Sequence, residues 1–152
     1  MIEVFTALFL FAITGGVGWF AAQYFGRQFA QFHELRGAAI ETIYYVANVG
    51  KLTLESDRDR YIRASDELRR CAARFHALQQ NATHLTRWYL TFRKYDLGKT
   101  VEGLTGLSNS LSEYNYPRFF AQYRVEIGLG LVPSHTKEAL EEERALHQQG
   151  LT

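Results

Sequence analysis

VFTALFLFAITGGVGWFAAQYF, the stretch from Val4 to Phe25, decides how the rest of this chain is read. It carries no Asp, Glu, Lys, Arg or His over 22 residues. As a helix it would extend about 33 Å, enough to cover a hydrocarbon core of about 30 Å. The stretch therefore predicts a membrane-spanning helix with the remaining chain hung from it. Only Met1, Ile2 and Glu3 precede it, so the basic segment of a cleaved signal peptide is missing. The Ala21-Ala22 pair before Gln23 resembles a cleavage site, but retention as an anchor is the favoured reading. Arg27 and Arg36 follow the span while Glu3 precedes it, which predicts the N-terminus outside and the body in the cytoplasm. Trp19, Phe20, Tyr24 and Phe25 sit where aromatic rings favour the headgroup zone.

Thr14, Gly18, Ala22 and Gly26 recur every fourth residue, the small-xxx-small spacing that lets two helix backbones approach closely. One reading is a helix partner in the membrane. The other is that small residues are simply common in membrane helices. With no charged residue inside the span, the helix alone offers no proton relay or ion path.

The 152 residues leave about 125 outside the span, enough for one domain with a continuous core. Seventeen basic and sixteen acidic residues give a formal net charge of +1, so no global field selects nucleic acid or an acidic substrate. A single cysteine, Cys71, excludes an internal disulfide and suits a reducing compartment.

After the span, Phe25, Phe29, Phe32, Ala39, Ile43 and Val46 continue at steps of three and four, interrupted by Arg36, so the first helix runs on towards Gly50. A second helix, capped by Ser56 or Asp57 and running to about Gln80, should bury Ile62, Ser65, Leu68, Ala72, Phe75 and Leu78 or Gln79, with Tyr61 and Cys71 at the edge. Its other side is laced with Asp59, Arg63, Glu67, Asp66 and Arg70, which reads as a solvated face. After a turn at Asn81 to Thr83, the stretch HLTRWYLTFRKY (His84 to Tyr95) groups Leu85, Trp88, Phe92 and Tyr95 on one side of a short helix. Three readings apply: a core face, an interfacial helix touching lipid, or a nucleic-acid platform. The core reading leads. Arg27, Arg87, Trp88, Arg93 and Lys94 are the candidates for headgroup contact, and no nucleic-acid partner is expected.

Asp96-Leu97-Gly98 is read as the end of that helix. The next, Thr100 to Tyr114, should turn Val101, Leu104, Leu107 or Ser108, and Leu111 inward, with Gly103, Gly106, Ser108 and Ser110 allowing close contact with a neighbour. Asn115-Tyr116-Pro117 breaks it, Arg118 to Tyr123 resumes a helical turn, and Val125 to Val132 reads as a loop or packed extended piece. Beyond Pro133 a charged tail helix, capped by Ser134, can dock through Ala139, Leu140, Ala145 and Leu146.

No Gly-Lys phosphate loop, nucleophile elbow or Cys-x-x-Cys is present. Glu143 and His147 could share a helix face, yet two exposed ligands make a weak metal site. No metal, cofactor, catalytic residue or small-molecule substrate is expected, and the chain is read as a non-enzyme. Three stretches, IETIYYVANV (Ile40 to Val49), ASDELRRCAARFHAL (Ala64 to Leu78) and GLTGLSNSL (Gly103 to Leu111), together resemble an uncharacterised family of small bacterial single-pass membrane proteins. Its pattern is an N-terminal span, an "ANV" helix end, an "LRR-x-AA" helix and a closing "LIGLSNSL"-like helix. Thr105 departs from it, as does the extension from Asn115. The resemblance implies membrane anchoring and transfers no site residue.

The sequence thus predicts an all-α protein: a transmembrane anchor over 1–27 continuing into a cytoplasmic antiparallel bundle over 28–132, then a charged tail helix over 133–152. Its expected place is the bacterial inner membrane. The leading expectation is an interaction module, an accessory or assembly subunit or adapter of a larger membrane complex, with lipid and other subunits or itself as partners. The alternative is an effector of stress or phage defence that acts by oligomerising in the bilayer.

Overall fold

Apolar steps of three and four dominate the chain, and every regular element among the described residues of the computed structural model is a helix. Those residues are Thr6, 13–19, 22–48, 58–112 and 116–148. A wide turn closed by i→i+5 bonds, Ala22–Gly26, leads directly into α1 (Arg27–Asn48). Then come α2 (Arg58–Asn81), α3 (His84–Phe92), α4 (Leu97–Asn109), α5 (Tyr116–Gly128) and α6 (Lys137–Gln148).

Hydrogen bonds between opposite helix ends fix the topology. Gln28 at the start of α1 bonds Asn81 at the end of α2, and Ser65 on α2 donates to the Ser108 carbonyl on α4. Arg36 donates to the Leu129 carbonyl just past α5, while Arg118 near the start of α5 donates to the Val46 carbonyl late in α1. Gly103 and Gly106 of α4 lie against Ala121 and Val125 of α5. Each of these pairs is antiparallel, so α1, α2, α4 and α5 form an up-down-up-down four-helix bundle. The short α3 is inserted between α2 and α4.

Phe32, Phe75, Leu68, Leu104, Leu107, Leu111, Val125 and Leu129 are fully buried at its centre. Each such side chain contributes roughly 1.5–3 kcal/mol relative to exposure. The small-residue face of α4 is the closest seam. A Cβ at Gly103 would lie 2.5 Å from Val125 Cγ2 and 2.7 Å from the Ala121 carbonyl oxygen, so only glycine permits this approach. Gly128 answers it from α5, where a Cβ would lie 2.4 Å from Thr100 Oγ1.

Several boundaries differ from expectation. Along α1, Leu35 and Thr42 join the buried stripe, and Arg36 is half-buried, its Nε donating to the Leu129 carbonyl at 3.0 Å and its guanidinium 5.7 Å from the Tyr95 ring centre. On α2 the inward face is Ala64, Ser65, Leu68, Cys71, Ala72, Phe75 and Leu78; Ile62 and Gln79 are exposed. The caps expected at Ser56 or Asp57 lie outside the described residues. Asp96 does not end a helix but begins one, its carboxylate accepting the Lys99 backbone N–H at 3.0 Å as the N-cap of α4. Val125 to Gly128 is the last turn of α5, not a loop, because Gly128 supplies the clearance that α4 requires. Thr136, not Ser134, caps α6, while Ser134 bonds the buried Glu126 carboxylate. Leu140 docks from α6, but Ala139 and Ala145 face outward and the Leu146 side chain lies outside the described residues.

No helix among the described residues is long and apolar enough to cross a membrane. The span expected over Val4 to Phe25 falls in part on 4, 5, 7–12, 20 and 21, which lie outside the described residues. The observed architecture is the bundle with helical residues 13–19 and 22–26 before it.

Candidate functional site

A single amide organises one end of the bundle. Gln28, the second residue of α1, donates through Nε2 to the Asn81 carbonyl at 3.0 Å. Its Oε1 accepts from the Thr83 backbone N–H at 3.1 Å and the Thr86 hydroxyl at 2.7 Å. Thr83 caps α3, and Thr86 is fully buried beneath that helix. Aromatic contacts extend the join: Phe29 meets Tyr89 edge-on at 4.8 Å, Phe32 meets Tyr95 at 4.9 Å, and His33 Nε2 lies 3.3 Å from the Tyr89 hydroxyl. The short helix α3 is therefore held against the first two turns of α1. Gln28 lies three residues, about 4.5 Å of helix rise, beyond Phe25, where the apolar stretch ends.

This docking reverses the face expected for α3. Thr86 and Leu90 point inward with Tyr89 half-buried, whereas Leu85, Trp88 and Phe92 are exposed, Trp88 at 63% and Phe92 at 69%. The physical reason is that apolar residues occur on both sides of this nine-residue helix, and the Thr83 and Thr86 bonds to Gln28 select the side that docks. Trp88 and Phe92 stack on each other in the solvent, ring centres 5.6 Å apart and planes 13° apart.

Of the residues singled out for headgroup contact, Arg87, Trp88, Arg93 and Lys94 are all exposed on α3 and its closing turn, and Arg27 is exposed at the first position of α1. Arg87 and Lys94 further line a cavity of about 750 Å³ between α3 and the ends of α2 and α4, which Lys99, Asp96, Tyr95 and Gln79 also border. Gln28, Asp96 and Lys99 were not singled out from sequence. The turn expected at Asn81 to Thr83 does precede α3, which starts at His84 as its sequence predicts; Asp96, a residue type favoured at a helix start and placed directly before an apolar run, is the signal that could have revealed the start of α4.

Lys94 has φ 57°, the left-handed conformation that favours glycine. It occupies the closing position of α3, where its N–H donates to the Thr91 carbonyl and the Tyr95 N–H donates to the Leu90 carbonyl. At Asp96, burial alone would raise the carboxyl pKa. Hydrogen bonds from the backbone and side chain of Lys99, its charge and the Gly98 N–H outweigh that effect and hold it below the usual carboxylate range. The Lys99 ammonium lies 3.3 Å from the carboxylate.

The small-residue ridge is divided between two described segments. Thr14 and Gly18 are exposed in helical residues 13–19, and Ala22 and Gly26 bound the wide turn; the side chain of Ala22 lies outside the described residues. A Cβ at Gly18 or Gly26 would meet nothing within 4 Å, but the same holds at Gly15 and Gly16, so open space alone does not select the ridge. Cys71 is buried, and burial pushes its thiol up to about 11, which makes it a packing group and a poor nucleophile. Among the described residues no group of three His, Cys, Asp or Glu side chains could hold a metal ion, and the side chains of Glu143 and His147 lie outside them. No protein-family model, no curated protein and no solved structure matches the chain.

Proposed function

We propose that this protein is a membrane-anchored helical interaction module, an accessory or assembly subunit or adapter of a larger bacterial membrane complex. The observation that carries the reading is the Gln28 junction. It puts the exposed Trp88–Phe92 stack and the cations of α3 at the bundle end from which the apolar N-terminal stretch departs. Aromatic rings and basic side chains at that level suit the headgroup zone of an anionic leaflet. The apolar stretch from Val4 to Phe25 serves as the single span, with Ile13, Val17 and Trp19 exposed for lipid or a partner helix to cover. The Thr14, Gly18, Ala22 and Gly26 ridge supplies close packing for that helix, because lipid tails provide no hydrophobic drive between helices. The resemblance of the ANV, LRR-x-AA and GLSNSL stretches to small single-pass proteins adds support.

The test combines topology with partnership. A reporter fused after Thr152 is active only in the cytoplasm, the chain resists carbonate extraction from membranes, and a stoichiometric membrane subunit co-purifies in mild detergent. A carbonate-soluble chain, or a periplasmic C-terminus, overturns the anchor and its orientation. Growth arrest with loss of membrane potential on expression replaces the subunit reading with that of a bilayer effector.

A further inference from the structure

We propose that the cavity between α3 and the ends of α2 and α4 binds the phosphate of an anionic lipid headgroup, held by Arg87, Lys94 and Lys99. The proposal rests on the membrane-apposed reading above and assigns that surface a specific ligand. Three cations border the cavity against one carboxylate, Asp96, which is already engaged in capping α4 and holding Lys99. The local field therefore favours an anion although the whole chain is almost neutral. A volume of about 750 Å³ is far larger than a free phosphate needs and lies within the range of small-ligand sites. Leu90, Leu97 and Ile127 form an apolar part of the lining, and Gln79 and Thr91 add neutral hydrogen-bonding groups. A ligand with a charged phosphate, a polar glycerol and an apolar continuation matches this division of the wall.

Two further observations point to the same place. Lys94 takes the left-handed position at the end of α3, where glycine would be unstrained, and this conformation carries its side chain to the cavity. The cavity also lies at the end of the bundle where Gln28 joins α1 to α3: Ala82 in its lining sits between Asn81 and Thr83, the residues Gln28 bonds. A headgroup in the adjacent leaflet would need no long excursion from the bilayer.

The full chain carrying Trp19→Phe, so that Trp88 is its sole tryptophan, is purified in dodecyl maltoside and titrated with dihexanoyl phosphatidylglycerol while Trp88 fluorescence is read. The expected result is a saturable change, with binding about fivefold weaker in each of Lys94→Gln and Lys99→Gln, the ~1 kcal/mol that one basic residue supplies near an anionic surface. Arg63→Gln, at the far end of the bundle beside Thr42, leaves binding unchanged. Inorganic phosphate that competes as tightly as the lipid binds overturns the lipid headgroup as the ligand in favour of a soluble phosphate, whereas competition only at far higher concentration supports the lipid. A response equal for dihexanoyl phosphatidylcholine and indifferent to both lysine substitutions overturns the proposal, as does no response in a chain whose helicity is intact. Because carbonate extraction is scored separately, loss of the anchor with phosphatidylglycerol binding retained overturns the membrane reading and leaves the site standing. Retained anchoring without binding does the reverse.

Discussion

Replacing Lys94 by glycine should stabilise the bundle, although it deletes a side chain and fills no cavity. Helices α3 and α5 close with the same pair of hydrogen bonds. In α3 the N–H groups of Lys94 and Tyr95 reach back to Thr91 and Leu90; in α5 those of Gly130 and Leu131 reach back to Ile127 and Glu126. The central residue is left-handed in both, φ 57° for Lys94 and 66° for Gly130. A side chain in that conformation costs roughly 1–2 kcal/mol. Glycine returns about 0.4–1 kcal/mol of this through the greater freedom of the unfolded chain. The net gain for Lys94→Gly is about 0.5–1 kcal/mol, which for a domain of this size is a rise in Tm of about 2–5 °C. The converse change, Gly130→Ala, adds the left-handed cost and sets a Cβ 2.8 Å from Tyr95 Cε1, so a loss of about 2 kcal/mol is expected. Both are read by thermal and urea unfolding of the full chain in one detergent, followed by circular dichroism. An unchanged or lowered midpoint for Lys94→Gly would show that contacts of the lysine offset the backbone strain, and would remove the argument that strain is stored there.

Leu68 is fully buried, and Leu68→Asp should unfold the bundle, since an unpaired buried carboxylate costs several kcal/mol out of the roughly 5–15 kcal/mol a domain possesses; a variant that melts like the parent refutes the inward face of α2. Cys71, with its thiol pushed up to about 11, should alkylate about a hundredfold more slowly at pH 8 in the native protein than after unfolding, and equal rates would contradict its burial. Asp96 has a folded pKa below its unfolded value, so its contribution is present above about pH 4 and is lost as the pH falls through the folded value. Asp96→Asn, which keeps the cap, should flatten that part of the acid limb in urea titrations, and an identical acid limb would show that another carboxylate dominates. If Val4 to Phe25 is the anchor proposed above, Gly18→Leu keeps the chain in the membrane and abolishes cross-links through that segment, and persistent cross-links would move any association to the bundle.

Where one face of a helix is apolar and the other charged, the sequence was sufficient. Leu68, Ala72, Phe75 and Leu78 on α2, and Leu104 and Leu107 on α4 with Leu111 just past its end, are buried as their spacing required. The close approach allowed by Gly103 and Gly106 was legible as well, because small residues at helical spacing leave room that a neighbour can take. Two kinds of position escaped. Asp96-Leu97-Gly98 reads as a helix end and Val125 to Val132 as a loop or packed extended piece, yet Asp96 accepts a free N–H at the start of α4, and α5 continues to Gly128, which leaves room for Thr100 and accepts the Asp96 N–H. Their meaning depends on a partner far away in the chain. The second kind is α3, whose two apolar sides give no internal preference. Its orientation is set by Gln28, 58 residues from Thr86, and no local pattern around His84 to Tyr95 could have reported that bond.

The topology nevertheless makes part of the site less dependent on that one amide. In an up-down-up-down bundle the start of α1, the connection from α2 to α4 and the end of α5 must share one end. Here that connection contains α3, and the Arg36 bond to the Leu129 carbonyl places the end of α5 beside the same region. An apolar segment preceding α1 therefore leaves the bundle beside whatever the α2–α4 connection presents, whichever face of α3 docks. Gln28 decides something narrower: that Thr86 and Leu90 are covered, that Leu85, Trp88 and Phe92 are exposed, and hence that the surface beside the departing chain is aromatic. Helix order gives this end its position, and a single half-buried amide gives its surface the chemistry on which the membrane-apposed reading rests.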